Sequence, residues 1–324
     1  MVIIFLLFVI VGTFKMAYEL YSRVFQPNIL FSENIQEEYI YIPSGADFDK
    51  VLEILNNNGF LINSNSFMWL AKQKKYNNNI KPGRYKISSS LNNNQLVNLL
   101  RSGRQTPINV KFNNVRMKEE LALIISKQIE ADSSSIMEYI LDSVFLKSIN
   151  LDKYNIACLF IPNTYEFYWN TSAKQFVDRM IQENMVFWNK NRIELANKIG
   201  LSKSEVSILA SIVEKEQNIK LDERAKIAGL YLNRINKNMK LESDPTLIFS
   251  IGDFTINRVL NKDKKVDSPF NTYMHKGLPP GPICIPSINA IDAVLNATQH
   301  KYIFMCAKED FSGYHNFART YPKH

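Results

Sequence analysis

Residues Ser202–Gln217, SKSEVSILASIVEKEQ, carry the strongest helix signal in the chain. Ser202 and Glu205 have the spacing of a capping box, in which each side chain satisfies a backbone amide at the start of a helix. The apolar residues that follow recur at helical intervals and share one face: Val206, Leu209, Ala210 and Val213. The segment therefore predicts an amphipathic helix that buries one face.

Two glutamates, Glu214 and Glu216, end this helix. At about 100° per residue they fall on opposite margins of the apolar face, with Glu214 beside Ala210. Loss of water at such a margin raises the pKa of a carboxyl, which is what a general acid working near neutral pH requires. A glutamate at the edge of a helix face is more often solvated or salt-bridged, so position alone does not establish a function.

The rest of the pattern predicts an α+β protein with two folded regions. Residues 38–112 alternate short strands and helices, and from Met117 the periodic segments are longer and helical. Beyond Asn236 the chain is rich in Pro, Gly and Asn and is interpreted as irregular. We therefore expect a small α/β unit at 38–112 and a larger, mostly helical domain with a short sheet at 113–324.

The N-terminal residues Met1–Phe14, MVIIFLLFVIVGTF, have no charged side chain. A membrane-spanning helix needs about 20 apolar residues, and Met16–Tyr18 extend the run if Lys15 reaches the lipid headgroups. A basic start and a cleavage site, as in a signal peptide, are not evident. The segment predicts a transmembrane anchor over residues 1–24, with a buried core helix as the alternative, and a polar linker over residues 25–37.

Composition narrows the class of partner. The net charge is +8, but Lys and Arg are scattered, and the short clusters Lys72–Lys75 and Lys262–Lys265 are not interleaved with base-stacking aromatics. This argues against nucleic acid and favours a surface near an anionic membrane or cell wall. The three cysteines lack the close spacing of a metal or redox site, so free thiols are expected, and the sequence requires no metal or organic cofactor.

Three segments dense in Asp, Asn, Thr, Tyr, Gly and Pro follow the glutamate helix. They are Leu241–Thr246 (LESDPT), Asn271–Tyr273 (NTY) and Gly277–Pro282 (GLPPGP). Polar loops on a helical scaffold commonly build sugar-binding clefts, although Pro and Gly pairs are usually simple turns.

Five segments together resemble the MltG/YceG family of endolytic murein transglycosylases. They occur in the family's order and at compatible spacing: ASIVEKE (Ala210–Glu216), YLNRI (Tyr231–Ile235), LESDPT, PFNTY (Pro269–Tyr273) and GLPPGPI. Residues 39–112 resemble the family's LysM-like subdomain, and the resemblance covers nearly the whole chain.

The resemblance implies cleavage of the bond between N-acetylmuramic acid and N-acetylglucosamine within a glycan strand, leaving an anhydro-muramyl end. The catalytic glutamate, taken as the first in the family's motif, corresponds to Glu214. It would protonate the glycosidic oxygen and then act as base. The residues expected to bind the substrate are Glu216, Asn233, Glu242, Asp244, Thr246, Asn271, Thr272, Tyr273 and Asn316.

Two other functions remain open at this point. One is a muramidase that hydrolyses the same bond with Asp244 as a second carboxylate, and the other is a non-catalytic wall-binding scaffold. The resemblance further implies a single-pass protein of the cytoplasmic (inner) membrane, with the catalytic domain on the periplasmic side. Peptidoglycan polymerases are the candidate protein partners.

Overall fold

The computed structural model describes residues 2–31, 35–256 and 258–323. Helices dominate, and the strands of these residues form three two-stranded sheets, which confirms a mixed α+β architecture. The chain divides into two compact units. Unit 1 comprises Met1–Asn109, Gln128–Glu130 and Glu166–Thr171, and unit 2 comprises Val110–Lys127, Ala131–Tyr165 and Ser172–His324.

Nineteen longer elements define the fold of the described residues. The helices are α1 (Val2–Phe25), α2 (Phe48–Asn57), α3 (Ser64–Gln73), α4 (Asn93–Ser102), α5 (Lys118–Ser126), α6 (Ser133–Leu141), α7 (Ser143–Ser148), α8 (Ala173–Phe187), α9 (Lys190–Lys198), α10 (Lys203–Glu216), α11 (Arg224–Asn236), α12 (Asp244–Ile251) and α13 (Ile288–Leu295). The strands are β1 (Glu37–Ile42), β2 (Gly83–Ser88), β3 (Ile108–Phe112), β4 (Asn163–Phe167), β5 (Phe304–Ala307) and β6 (His315–Ala318), paired as β1–β2, β3–β4 and β5–β6.

Helix α1 is long and apolar enough to cross a membrane. It has 24 residues, and its most apolar window has a mean hydropathy of 2.0. At 1.5 Å per residue it is about 36 Å long, slightly more than the hydrocarbon thickness of a bilayer. None of its described residues is buried, so the alternative of a core helix is wrong.

The end of α1 is bound to the rest of unit 1. The amide of Asn93 donates to the carbonyl of Arg23 at 2.9 Å, and Asn28 donates to Asn93 Oδ1 at 2.7 Å. Ile29 is buried in the core of the unit. Asn28 and Ile29, within the stretch predicted as a polar linker over residues 25–37, are thus held by buried polar and apolar contacts. Residues 32–34 of that linker lie outside the described residues.

Unit 1 has its own apolar core. Strands β1 and β2 pair antiparallel from Glu37↔Ser88 to Ile42↔Gly83, and helices α2–α4 supply the remaining core residues. Side chains alternate along β1, where Ile40 and Ile42 are buried and Tyr41 is exposed. The strands and helices expected over residues 38–112 are confirmed, within a few residues at their ends.

Unit 2 is centred on α10. The predicted capping box is present, with Ser202 and Glu205 bonding each other's backbone amides. The helix packs against α9, α11, α12 and α13. Residues outside the predicted apolar face, such as Ile208 and Ile212, are also buried. Because other helices pack around α10, the side chains at its C-terminal end are held between those helices.

The interpretation of the chain beyond Asn236 as irregular is wrong, because α12, α13, β5 and β6 lie there. Pro245 stands in the first turn of α12, a position that its fixed φ suits. Asp244 and Thr246 were expected in a loop and instead begin this helix. The segment of Gly281 remains a tight connection, since a Cβ on Gly281 would lie 1.9 Å from the carbonyl oxygen of Tyr154.

Candidate active site

The two glutamates at the end of α10 enter different surroundings. Two positions along an α-helix correspond to a rotation of about 200°, so Glu214 and Glu216 project from nearly opposite sides. Glu214 turns toward α13, and Glu216 turns toward α11 and the start of α12.

Glu214 is bound at the N-terminus of α13. Glu214 is only 6% exposed. Its Oε2 accepts two hydrogen bonds from Ser287, one from the backbone amide at 2.7 Å and one from the side-chain hydroxyl at 2.5 Å. Ser287 is the N-cap of α13, where the helix dipole favours a negative charge. Helix α13 therefore covers this carboxyl, and the catalytic role expected of Glu214 stays a prediction that these contacts do not favour.

Arg224 completes the surroundings of Glu214. Its Nη1 lies 3.9 Å from Glu214 Oε2, and it also donates to Asn289 Oδ1 at 2.9 Å and, through Nε, to the carbonyl of Gln217 at 2.8 Å. Burial lowers the pKa of the guanidinium, and the Glu214 carboxylate opposes that shift. The carboxyl of Glu214 thus serves as an internal counter-charge that joins α10, α11 and α13.

Glu216 borders a cavity of about 540 Å³, which we call the Glu216 cleft. Its walls combine acidic, basic and aromatic side chains, as expected of a site for a polar sugar. The lining residues are Glu216, Leu230, Tyr231, Arg234, Leu241, Glu242, Asp244, Lys264, Tyr273, Phe304, Met305 and Tyr321.

Two hydroxyl groups hold one oxygen of Glu216. Oε1 accepts from the Tyr231 hydroxyl at 2.6 Å and from Ser243 Oγ at 2.5 Å, whereas Oε2 accepts no hydrogen bond from the described residues. Burial raises the pKa of Glu216 and the nearby Asp244 adds to this, while the bonds from Ser243 and Tyr231 oppose it. The net effect favours a carboxyl that keeps its proton, with Oε2 left for a molecule in the cleft.

Other polar groups of the cleft are paired with each other. The Tyr273 hydroxyl donates to Asp244 Oδ1, and burial followed by this bond raises the pKa of Tyr273, so it remains a donor. Glu242 has a positive φ of 51° and accepts from Arg234 Nη1 at 3.2 Å. The structure therefore places four predicted residues at the cleft: Glu216, Glu242, Asp244 and Tyr273.

Three predicted substrate-binding residues lie behind the cleft wall and hold it in place. Asn271 is fully buried and donates to the carbonyls of Val266 at 2.8 Å and Lys264 at 3.1 Å. Thr272 Oγ1 accepts from the amide of Ser243 at 3.0 Å, and its hydroxyl shares a 2.7 Å bond with that of Thr246. Asn271, Thr272 and Thr246 are buried under the chain that they position, and the expectation that they contact the substrate stays a prediction.

Asn233 and Asn316, also expected to bind the substrate, do not line the Glu216 cleft, and that role stays a prediction. Asn233 Nδ2 donates to the carbonyls of His300 at 2.8 Å and Tyr302 at 3.0 Å. Asn316, in β6, donates to Glu309 Oε2 at 3.0 Å. Both amides are engaged in fixing local backbone or side chains, which explains why neither borders the cavity.

The sequence analysis did not single out four residues that the cleft uses: Tyr231, Arg234, Ser243 and Lys264. Tyr231 was interpreted as part of an apolar helix face, because its ring is in register with Ile227. Ser243 stands between Glu242 and Asp244, so the LESDPT motif carried a signal for it. Arg234 belongs to the quoted segment YLNRI but was assigned no role, and Lys264 gave no signal that distinguishes it from a surface cation.

Comparison with known proteins places the chain in a family. A model of the YceG-like family matches residues 40–324. A Bacillus subtilis (strain 168) protein named endolytic murein transglycosylase is 26% identical over 302 residues, covering 88% of this chain and 82% of that protein. A Streptococcus pneumoniae (strain D39) protein of the same name is 26% identical over 301 residues, covering 82% of this chain and 53% of that protein.

A solved structure has a similar fold. The crystal structure of a protein from Listeria monocytogenes, described as yceG-like, superimposes with a TM-score of 0.56 and 25% sequence identity. The match covers 89% of this chain and 98% of that one. With the family model matching well over half of its length, this chain belongs to the YceG-like family.

Proposed function

We propose that this chain is an endolytic murein transglycosylase in which Glu216 is the acid/base catalyst. The curated relatives that carry this name support the activity. One observation supports the choice of residue: Glu216 lines a polar cleft with Oε1 bound by two hydroxyls, Oε2 available, and a raised pKa.

The reaction needs one carboxyl that first gives a proton and then takes one. Glu216 protonates the oxygen between N-acetylmuramic acid and N-acetylglucosamine as that bond breaks. The carboxylate then accepts the proton of the muramic acid C6 hydroxyl, whose oxygen bonds to C1. The strand is cut, an anhydro-muramyl end forms, and no water is consumed. Tyr231 and Ser243 keep Oε1 in place, so Oε2 carries the proton in both directions.

Glu214 is less suited to this role than Glu216. Its Oε2 already accepts two hydrogen bonds from Ser287, and Arg224 lies 3.9 Å from the same oxygen. This oxygen is thus already occupied by partners within the protein, whereas an acid catalyst must present an oxygen to the bond that it protonates. Glu214 is also absent from the walls of the Glu216 cleft.

Hydrolysis of the same bond is the second candidate function, because two more carboxylates line the cleft. A muramidase needs a second carboxylate that activates water or attacks the sugar. Asp244 and Glu242 border the cavity, and Asp244 is close enough to raise the pKa of Glu216. Transglycosylation is preferred because the relatives are named for it.

The experiment is a digest of purified, uncrosslinked glycan strands by the wild-type chain and by Glu216→Gln. We expect the wild type to produce anhydro-muramyl ends and the variant to leave strands uncut. Mass spectrometry separates anhydro ends from reducing ends, which differ by one water. Reducing ends would establish the muramidase instead, and normal cleavage by the variant would refute the role of Glu216.

We further propose a placement for the chain. Helix α1 (Val2–Phe25), close to the anchor expected over residues 1–24, spans the cytoplasmic membrane, and the rest of both units lies on the extracytoplasmic side, where glycan strands are made. Residues 38–112 act as a LysM-like unit, residues 113–324 form the catalytic domain, and peptidoglycan polymerases are the candidate partners. Protease added to intact spheroplasts should digest both units, and their protection would contradict this topology.

A further inference from the structure

We infer that Lys264 recognises a carboxylate of the substrate, so that the enzyme prefers glycan strands whose muramic acid residues carry a negative charge beside the cleaved bond. This inference rests on the proposed function and names the chemistry that the Glu216 cleft selects.

Two cations line the Glu216 cleft, and they differ in how they are satisfied. Arg234 has a side chain only 9% exposed, and it donates to the carbonyls of Ile303 at 2.7 Å and Leu241 at 2.8 Å and to Glu242 at 3.2 Å. Its charge is therefore balanced within the protein. Lys264 forms no ion pair with any carboxylate of the described residues, and its Nζ lies 4.9 Å from the centre of the Tyr273 ring.

The backbone of Lys264 is held in position. The buried amide of Asn271 donates to the carbonyl oxygen of Lys264 at 3.1 Å, and the Asn271 side chain also accepts from the amide of Tyr273 at 3.0 Å. One side chain thus positions both the lysine and the tyrosine beneath it. The Tyr273 hydroxyl in turn bonds Asp244, so one ring contacts both the cation, which lies over it, and an acidic residue of the cleft.

Peptidoglycan offers an anion that fits this position. Each muramic acid bears a lactyl group, whose carboxyl is free when the strand has no peptide and is otherwise joined to a stem peptide that carries carboxylates of its own. The carboxylates of Glu242 and Asp244 would repel such a group from their part of the cleft. Lys264 is the cation available to attract it, by a charge-assisted hydrogen bond.

The test compares Lys264→Gln with Lys262→Gln and Lys265→Gln, two lysines of the same segment that do not line the cleft. Substrates are strands with stem peptides and strands freed of them by an amidase, each used untreated or with carboxylates converted to methylamides. We expect Lys264→Gln to raise KM by about tenfold on untreated strands while kcat stays within about twofold. The two control variants should behave as the wild type.

On amidated strands the wild type should fall to the level of Lys264→Gln. A loss confined to peptide-bearing strands assigns the stem carboxylate, and a loss that persists on peptide-free strands assigns the lactyl carboxylate. Equal losses on untreated and amidated strands, unchanged KM in Lys264→Gln, or similar losses in the control variants would each overturn the inference.

The binding of the same strands to Glu216→Gln, with and without Lys264→Gln, keeps this test separate from the proposed function. If the wild type fails to cut any strand, the proposed activity is refuted while the binding comparison still reports on Lys264. If the wild type cuts strands and the double variant binds untreated strands as tightly as Glu216→Gln, only the carboxylate inference is refuted.

Discussion

Glu214 and Glu216 are the same residue type on the same helix turn, yet their surroundings oppose each other. Glu214 meets an amide, a hydroxyl and a guanidinium, all of which stabilise a negative charge. Glu216 meets two neutral hydroxyls and a neighbouring carboxylate in a partly buried cleft, and its pKa is raised. One carboxyl joins neighbouring helices through its contacts, and the other is suited to proton transfer.

The difference comes from the elements that cover each side of α10. The N-terminus of α13 covers Glu214, and its cap Ser287 lies 73 residues further along the chain. The side of Glu216 is bordered by α11 and the first residues of α12, which leave a cavity. The elements that pack beside each glutamate therefore determine its chemical role, whereas α10 itself sets only the direction of each side chain.

The largest expected effect is on catalysis. Changing Glu216 to Gln removes the only proton donor of the proposed reaction, and we expect strand cleavage to fall by about 10³-fold or more. Changing Glu214 to Gln should leave the rate per folded molecule within about tenfold of wild type. Initial rates on labelled strands, corrected for the folded fraction, measure both.

The reverse order of the two variants' activities would contradict the roles assigned to Glu214 and Glu216. If Glu214→Gln were inactive while fully folded, and Glu216→Gln retained its rate, the buried glutamate would be the catalyst and the cleft would have another use.

The second effect is on stability and should have the opposite order. Glu214→Gln leaves Arg224, whose side chain is 5% exposed, without its counter-charge at the centre of unit 2. Losing one partner of such a pair should lower the free energy of unfolding by about 2–4 kcal/mol. Glu216→Gln removes a carboxyl that resists ionisation, and should stay within about 1 kcal/mol of wild type. Urea denaturation followed by circular dichroism measures both, and equal losses would contradict the assignment.

A smaller effect tests how Glu216 is tuned. Tyr231→Phe deletes one of the two donors to Oε1, and because such donors lower the pKa of a carboxyl, the pKa of Glu216 should rise further. The active form is protonated and is lost as pH rises through that pKa, so the alkaline limb of kcat/KM should move to higher pH. The rate at the optimum should fall by about tenfold, through looser placement of the carboxyl.

Tyr314→Phe is the matched control for this pH profile. The Tyr314 hydroxyl bonds Asp222 on the exposed surface of unit 2 and does not line the cleft. Its removal should leave both limbs of the profile in place. An alkaline limb that moves to lower pH in Tyr231→Phe would show that the tyrosine does not stabilise the ionised carboxyl.

Local signals in the sequence were sufficient for the elements that begin with a recognisable cap. The capping box at Ser202 and Glu205 and the cap at Asp47 mark helices that the structure contains at those positions. Residues after Asn236 were misjudged because prolines and glycines signal turns, whereas Pro245 in a first helical turn is a start signal. Short helices such as α12 and α13 are stabilised by packing on α10, which no local pattern records.

The sequence predicts which segments form the site, but it does not predict which side chains contact one another there. The IVEKE and LESDPT segments do meet at the cleft, as expected from their polar residues. On a helical wheel, however, Glu214 and Glu216 lie on the two margins of one apolar face, so the wheel alone does not distinguish them. Choosing between them requires the position of Ser287 and Ser243, which depends on how distant parts of the chain fold back. For the same reason, the sequence does not show that Asn271, Thr272 and Thr246 are buried.

The junction between α1 and unit 1 has a mechanical consequence. Because Asn93 and Asn28 lock the last turn of α1 to the body of that unit, the membrane segment and unit 1 share one orientation. Tilting or rotating α1 in a bilayer would therefore tilt or rotate the rest of unit 1 with it. A membrane protein that bound the side of α1 would thereby orient unit 1 without contacting the rest of that unit.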